Sequence, residues 1–154
     1  MEIRASDFFS RDQQDYVLSA IREAEKATSG EIRVHIETAL EGDVMDRAAW
    51  IFKKIGMHRT EMRNGVLFYM AVRSRQFAVI GDSGINAQVA GDFWDRIKEL
   101  LQERFNQGRF AEGLAEAVLL AGEQLKDHFP GMPDDINELP DEISYDDPYK
   151  FSDK

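Results

Sequence analysis

Apolar and polar positions recur along the chain in two periods, and each change of period marks an element. Val17, Leu18, Ile21, Ala24 and Thr28 fall at helical spacing. Ser10 precedes them with Gln13 three residues on, the spacing of a capping box in which each side chain satisfies the other's backbone N–H. Gly30 stands where a left-handed C-cap is expected. Glu31 to Thr38 then alternates strictly, with Ile32, Val34 and Ile36 on one side, which predicts a strand with one wet or polar face. Asp43 is placed to cap a second helix that buries Val44, Ala48, Ile51, Phe52 and Ile55, and Gly56 ends it. Asn64-Gly65 introduces Val66 to Val72, a continuous apolar run suited to a strand buried on both faces. Arg73-Ser74-Arg75 separates that run from Gln76 to Ile80, so the pair reads as a hairpin. Gly81-Asp82-Ser83-Gly84 is a turn, and Ile85 to Ala90 a short helical stretch. Asp92 can cap a longer helix with Phe93, Ile97, Leu100 and Leu101 inward, broken at Gly108. Phe110, Leu114, Val118, Ala121 and Leu125 line a last helix that stops before Pro130. Trp50, Trp94 and Phe93 lie at or beside helical spacing and read as core.

The order α-β-α-β-β-α-α predicts an α/β fold, a mixed central β-sheet with helices packed on it. The first two strands, joined through a helix, are expected parallel with a right-handed crossover, and the hairpin adds an antiparallel third. No internal repeat is visible.

Composition narrows the function. The chain has 154 residues, of which 43% are hydrophobic, enough for one domain with a real core plus a tail. It has no cysteine, which excludes disulfides, thiol nucleophiles and thiolate zinc sites. Its net charge of −10 comes without a basic stripe, which argues against nucleic acid as a partner. No apolar run reaches the roughly 18 residues of a membrane span, and the N-terminus lacks the basic-then-apolar pattern of a secretory signal. A cytoplasmic location is the plain expectation, with peripheral membrane association left open. Residues 1–130 read as the α/β domain and 131–154 as an acidic, extended or disordered tail. That tail holds Asp134, Asp135, Glu138, Asp141, Glu142, Asp146, Asp147 and Asp153 against Lys150 and Lys154. Its bland role is solubility. Leu139, Ile143, Tyr145 and Tyr149 would also let a segment of it pack back on the domain or dock on a partner.

Register suggests where chemistry would sit. With a hairpin loop of residues 73–75, Val66 faces Asp82, and Asp82 lies beside Asn64 and Gly65. A parallel first strand brings Glu31 to the same sheet end. Glu31, Asn64 and Asp82 would then converge from three segments, with Asp92 and Asp95 entering the next helix nearby. Oxygen donors of this kind suit a hard cation, Ca²⁺ or Mg²⁺. His35, His58 and His128 are scattered, so zinc is not expected. Each acid also has a structural reading: Asp92 as N-cap, Asp95 as a first-turn acid favoured by the helix dipole, Asn64 and Asp82 as turn residues, Glu31 as an exposed strand residue. A rival site lies at the other sheet end, where Glu37, Thr38, Glu41 and Asp43 stand across from Arg73 and Arg75; parallel strands usually bind ligands at that end. No G-x-S-x-G or Walker A motif is present. Asp82-Ser83-Gly84, beside Arg63, has only a loose likeness to a phosphate-cradling turn.

The body of the chain resembles the TPM-domain family. The matching stretches are Arg63 to Val72, Val79-Ile80-Gly81-Asp82-Ser83-Gly84-Ile85, and Gly108-Arg109-Phe110-Ala111-Glu112-Gly113-Leu114, with Ser29 to Val34 fitting the first strand. The likeness runs from about residue 12 to residue 127. It implies an α/β/α fold and, in some members, binding of divalent metal, chiefly calcium. A thylakoid-lumen branch is regarded as an acid phosphatase. Carried over by position, Asn64, Asp82 and the carboxylates around the glycine turn become the metal-site residues. Against many relatives, no signal peptide, transmembrane helix or Gly-rich tail is expected from this sequence, and it carries Gly81-Asp82-Ser83-Gly84-Ile85-Asn86 in place of Gly-Tyr-Gly-Leu-Glu-Gly.

Two functions follow as expectations. One is a divalent-metal-binding interaction module, without catalysis, that serves an unidentified protein partner. The other is a metal-assisted phosphomonoesterase acting on a small phosphorylated substrate. In it Asp82 and Glu31 hold the cation, Arg63 pairs a phosphate oxygen, and Asp92 or Asp95 is the acid/base. An adaptor with no metal is the third view, in which the carboxylates only cap.

Overall fold

The strand-forming segments assemble into one sheet. β1 (Glu31–Glu37), β2 (Gly65–Ala71), β3 (Gln76–Gly81) and β4 (Ile143–Tyr145) lie in the order β3-β2-β1-β4. The structure, a computed structural model, describes residues 3–131 and 143–145. β1 is parallel to β2 and to β4, and β2 is antiparallel to β3. The helices are α1 (Arg11–Glu25), α2 (Val44–Lys54), the single turn α3 (Ser83–Asn86), α4 (Phe93–Asn106) and α5 (Phe110–His128). The Ser10–Gln13 capping box forms as read from the sequence, and Asp43 accepts from the Asp46 N–H at the start of α2. Gly56 follows α2 in a left-handed conformation.

Two cores sandwich the sheet. Ile32, Val34, Ile36, Val66, Phe68, Met70 and Val79 pack against the apolar sides of α1, α4 and α5. Leu67, Tyr69, Ala71 and Ala78 meet Ala48, Ile51 and Phe52 of α2 on the other face. Each large side chain so buried contributes about 1.5–3 kcal/mol. The alternation of β1 puts Glu31, Arg33, His35 and Glu37 on the α2 side. That face is polar, but it is not wet: the four residues are only 3, 8, 0 and 1% exposed.

The structure corrects several expectations. The hairpin turn is four residues, 72–75, with Arg75 at φ 52° closing it, so Ala71 rather than Val72 pairs with Gln76. Val66 therefore faces Gly81, and the register moves by one residue. Gly30 is not a helix cap. α1 ends earlier, and a Cβ on Gly30 would lie 2.7 Å from a Leu125 methyl carbon, so the glycine permits close approach of α5. The helical stretch expected at 85–90 is shorter and begins at Ser83, with Asp82 as its cap. In the acidic tail, Ile143 and Tyr145 pack on the domain as part of β4, and Ile143 and Ser144 are buried. Leu139, Tyr149 and the remaining tail positions lie outside the described residues.

Candidate functional site

The starts of β1 and β2 and the end of β3 meet at one end of the sheet. Glu31 pairs in register with Gly65, and the Asp82 N–H donates to the Gly65 carbonyl at 2.9 Å. Asn64 Nδ2 donates to Ser29 Oγ at 3.3 Å, two residues before Glu31, and the Asn64 N–H donates to Thr60 Oγ1 at 3.2 Å. The expected gathering of Glu31, Asn64 and Asp82 at this end is therefore present, although the hairpin register that led to it was off by one. All three are buried, at 3, 1 and 6% exposure.

Asp82 is already engaged. Arg63 grips its carboxylate with two hydrogen bonds, Nε to Oδ2 at 2.7 Å and Nη2 to Oδ1 at 2.9 Å. The Asp82 carboxylate raises the Arg63 pKa through those bonds and its charge. Arg63 itself stands at φ 53°, and its carbonyl accepts from the Gly84 N–H at 2.8 Å. The two turns touch backbone to backbone: a Cβ on Gly84 would lie 2.1 Å from the Met62 carbonyl oxygen and 2.6 Å from that of Arg63. Glycine is required there for closeness. The turn's N–H groups are spent internally, Asp82 on Gly65, Ser83 on Asp82 Oδ1 at 2.7 Å, and Gly84 on Arg63. The expected phosphate cradle is thus filled by the protein's own acceptors. Asn64 differs: its Oδ1 is buried and has no hydrogen-bond partner among the described residues.

Asp92 and Asp95 are exposed on the first turn of α4. Asp92 occupies the cap position without a side-chain capping bond, and its carboxylate lies 3.7 Å from Arg96. No Asp92 or Asp95 hydrogen bond to Glu31, Asn64 or Asp82 is found among the described residues. Nor do three or more Asp, Glu or His side chains group as a metal-holding cluster among the described residues.

The opposite end holds a network that the sequence only half disclosed. Glu37, at the end of β1, receives Arg47 Nε and Nη2 at 2.8 and 2.7 Å and the Tyr69 hydroxyl at 2.5 Å. His35 Nε2 stands 3.9 Å from Glu37 Oε2, an electrostatic neighbour beyond hydrogen-bond length, and His35 Nδ1 lies 2.6 Å from Ser144 Oγ of β4. Burial alone would push the Glu37 carboxyl up. Hydrogen bonds from Arg47, then the His35 and Tyr69 neighbours, overcome it and hold the pKa at about 2. Burial first, then the Glu37 carboxylate, raise the Tyr69 pKa and keep its hydroxyl protonated. Arg75, also expected here, closes the hairpin turn. Thr38 accepts from the Ala5 N–H, Asp43 caps α2, Glu41 is exposed, and the Arg73 N–H donates to the Thr38 carbonyl. Arg47 was missed because only the fold carries it from α2 to the end of β1. Its stack on Trp50, 4.5 Å from the ring, belongs to the same arrangement.

Among the described residues, no helix is long and apolar enough to cross a membrane. A family model described as the TPM domain matches residues 3–124. None of the curated proteins compared with the chain matches it. Among solved structures it is similar to the BA42 protein of the psychrophilic bacterium Bizionia argentinensis, at 46% identity and TM-score 0.84, over 90% of this chain and 95% of that one. The N-terminal domain of a protein from P. gingivalis shares the fold at 20% identity and TM-score 0.66, over 80% of this chain and 82% of its own. The N-terminal domain of the cg2496 protein of Corynebacterium glutamicum does so at 14% and 0.61, over 77% and 74%.

Proposed function

The chain belongs to the TPM-domain family, and from that premise we propose that it is a divalent-cation-binding interaction module whose cation, Ca²⁺ or Mg²⁺, is held at the Glu31–Asn64–Asp82 end of the sheet. The supporting observation is Asn64 Oδ1, a buried acceptor without a hydrogen bond among the described residues, at the sheet end where buried Glu31 and Asp82 both adjoin Gly65 in the backbone register. Such an acceptor costs about 1–3 kcal/mol unless something satisfies it. A hard cation is an apt complement, since amide carbonyl and carboxylate oxygens are its preferred donors. Two carboxylates and one amide make a sparse set. Water would complete the coordination, and affinity in the range of about 10⁻⁴–10⁻³ M is expected.

Arg63 is the built-in competitor. It neutralises Asp82, and its side chain is 51% exposed, so it has room to withdraw into solvent when a cation takes the carboxylate. The phosphomonoesterase alternative draws less support. The turn amides are internally paired and the acid/base candidates Asp92 and Asp95 are exposed.

The test is a titration of Ca²⁺ and of Mg²⁺ into ¹⁵N-labelled protein. Saturable amide shifts at Glu31, Asn64 and Asp82 are expected, lost in Asp82→Asn and tightened in Arg63→Gln. Shifts confined to Glu37–Asp43 and Arg73, or none at millimolar metal, would overturn the reading. Hydrolysis of p-nitrophenyl phosphate that disappears in Asp82→Ala would restore the phosphatase.

A further inference from the structure

We propose that the cavity between the β2–β3 hairpin, the end of α4 and the start of α5 binds a single-headed amphiphilic carboxylate, of the fatty-acid class, with its tail among phenylalanines and its head on Arg75. The cavity encloses about 530 Å³, within the usual size range of small-molecule pockets. Its walls are Phe8, Met70, Phe77, Phe105 and Phe110, and Ile3, itself 51% exposed, stands at the rim. The rings hold one another in place: Phe77–Phe105, Phe105–Phe110 and Phe8–Phe110 have centroids 5.1, 5.2 and 5.1 Å apart. All four phenylalanines are only half-buried: they pack against the core on one side and leave apolar surface facing the open space.

Among the described residues, Arg75 is the one charged residue in that lining. Its guanidinium forms no ion pair or hydrogen bond among the described residues, whereas Arg47, Arg63, Arg104 and Arg109 each hold a carboxylate. In a chain of net charge −10, a cation that is uncompensated among the described residues, in the lining of a largely apolar cavity with the amides of Gln76, Gln102 and Asn106 beside it, offers charge complementarity to an anion. The backbone of Arg75 takes the left-handed conformation that closes the four-residue turn. A guanidinium fork pairs one carboxylate in a bidentate manner. A single cation matches a single negative head.

The probe is decanoate, titrated into the full chain in the presence of EDTA so that the outcome is independent of the cation site. Saturable binding with shifts at the Met70 methyl and the Phe77 and Phe105 amides is expected. Arg75→Ala should weaken binding about tenfold or more, Arg75→Lys by less, and decylamine should bind about tenfold or more weakly than decanoate. Because Arg75 is exposed on a turn, both variants should keep the wild-type amide spectrum outside the hairpin. Equal binding of decanoate and decylamine, indifference to Arg75→Ala, shifts elsewhere, or no binding would each overturn the proposal.

Discussion

Arg47→Met removes the main partner of a buried carboxylate while keeping most of the apolar stem, and the structure sets the size of the effect. Glu37 has its pKa held at about 2, against an ordinary 4.5. A shift of that size is worth about 3 kcal/mol at about 1.4 kcal/mol per unit. The sign follows from the direction. A depressed folded-state pKa contributes stability that is fully present above the unfolded value and is lost as the pH falls through the folded one. Without Arg47, burial dominates and the Glu37 pKa rises, so the contribution vanishes or reverses. Breaking a buried pair costs about 3–5 kcal/mol, which includes the charge left stranded. Loss of the Arg47–Trp50 stack adds a pH-independent part of about 0.5–1 kcal/mol. Urea unfolding followed by circular dichroism should therefore show a loss of about 3–5 kcal/mol near pH 7. The loss should narrow to about 1 kcal/mol near pH 2, where Glu37 is about half protonated in the folded wild type, and most of its electrostatic contribution is gone. A companion titration of the Glu37 carboxyl carbon by NMR should show it moving upward in the variant. An equal deficit at both pH values, or a wild-type Glu37 that titrates in the ordinary range, would refute the electrostatic account.

Three further outcomes follow from individual contacts. Gly84→Ala forces apart two backbones that nearly touch, and should cost about 2 kcal/mol or more in urea unfolding; wild-type stability would show that the turns separate freely. Arg75→Gly relieves a left-handed arginine and should raise stability by about 1 kcal/mol while weakening decanoate binding about tenfold or more, so a variant that gains stability and binds as the wild type does would separate Arg75 from the cavity's function. Ser144→Ala deletes the partner of His35 Nδ1 and should cost about 1 kcal/mol; hydrogen exchange should quicken in β4 with α1 and α5 unchanged, and uniform quickening would mean that β4 is not a separate layer of stability.

The elements were legible because period and punctuation agreed: the Ser10 box, the Asp43 cap, the strict alternation of β1 and the apolar run of β2 each specify one structure locally. The hairpin register was not, because it turned on Arg75 adopting a conformation usually left to glycine or asparagine. The end of the sheet where Glu31, Asn64 and Asp82 meet survived that error, since a one-residue shift moves Asp82 from opposite Val66 to beside Gly65 without leaving the end. Arg63 was expected to serve a ligand and instead grips Asp82, a pairing that composition cannot distinguish from a free cation. β4 was invisible as a strand because three residues inside an acidic stretch carry no period. Arg47 and Ser144 complete the network around His35 and Glu37 from α2 and from the far end of the chain, and long-range pairings of that sort leave no local signal.

β4 gives the sheet an unusual schedule. Ser144 meets His35 across 109 residues of chain, so during synthesis β1 and β2 can emerge, pair and gather α5 while the outer rim of β1 still has no occupant. An unpaired strand rim is a template for other chains. The nascent domain therefore passes through an interval, ended only when residues 143–145 leave the ribosome, in which its helices are complete and its border is open. The length of that interval sets how long the rim of β1 is open to pairing with another chain while the protein is being made.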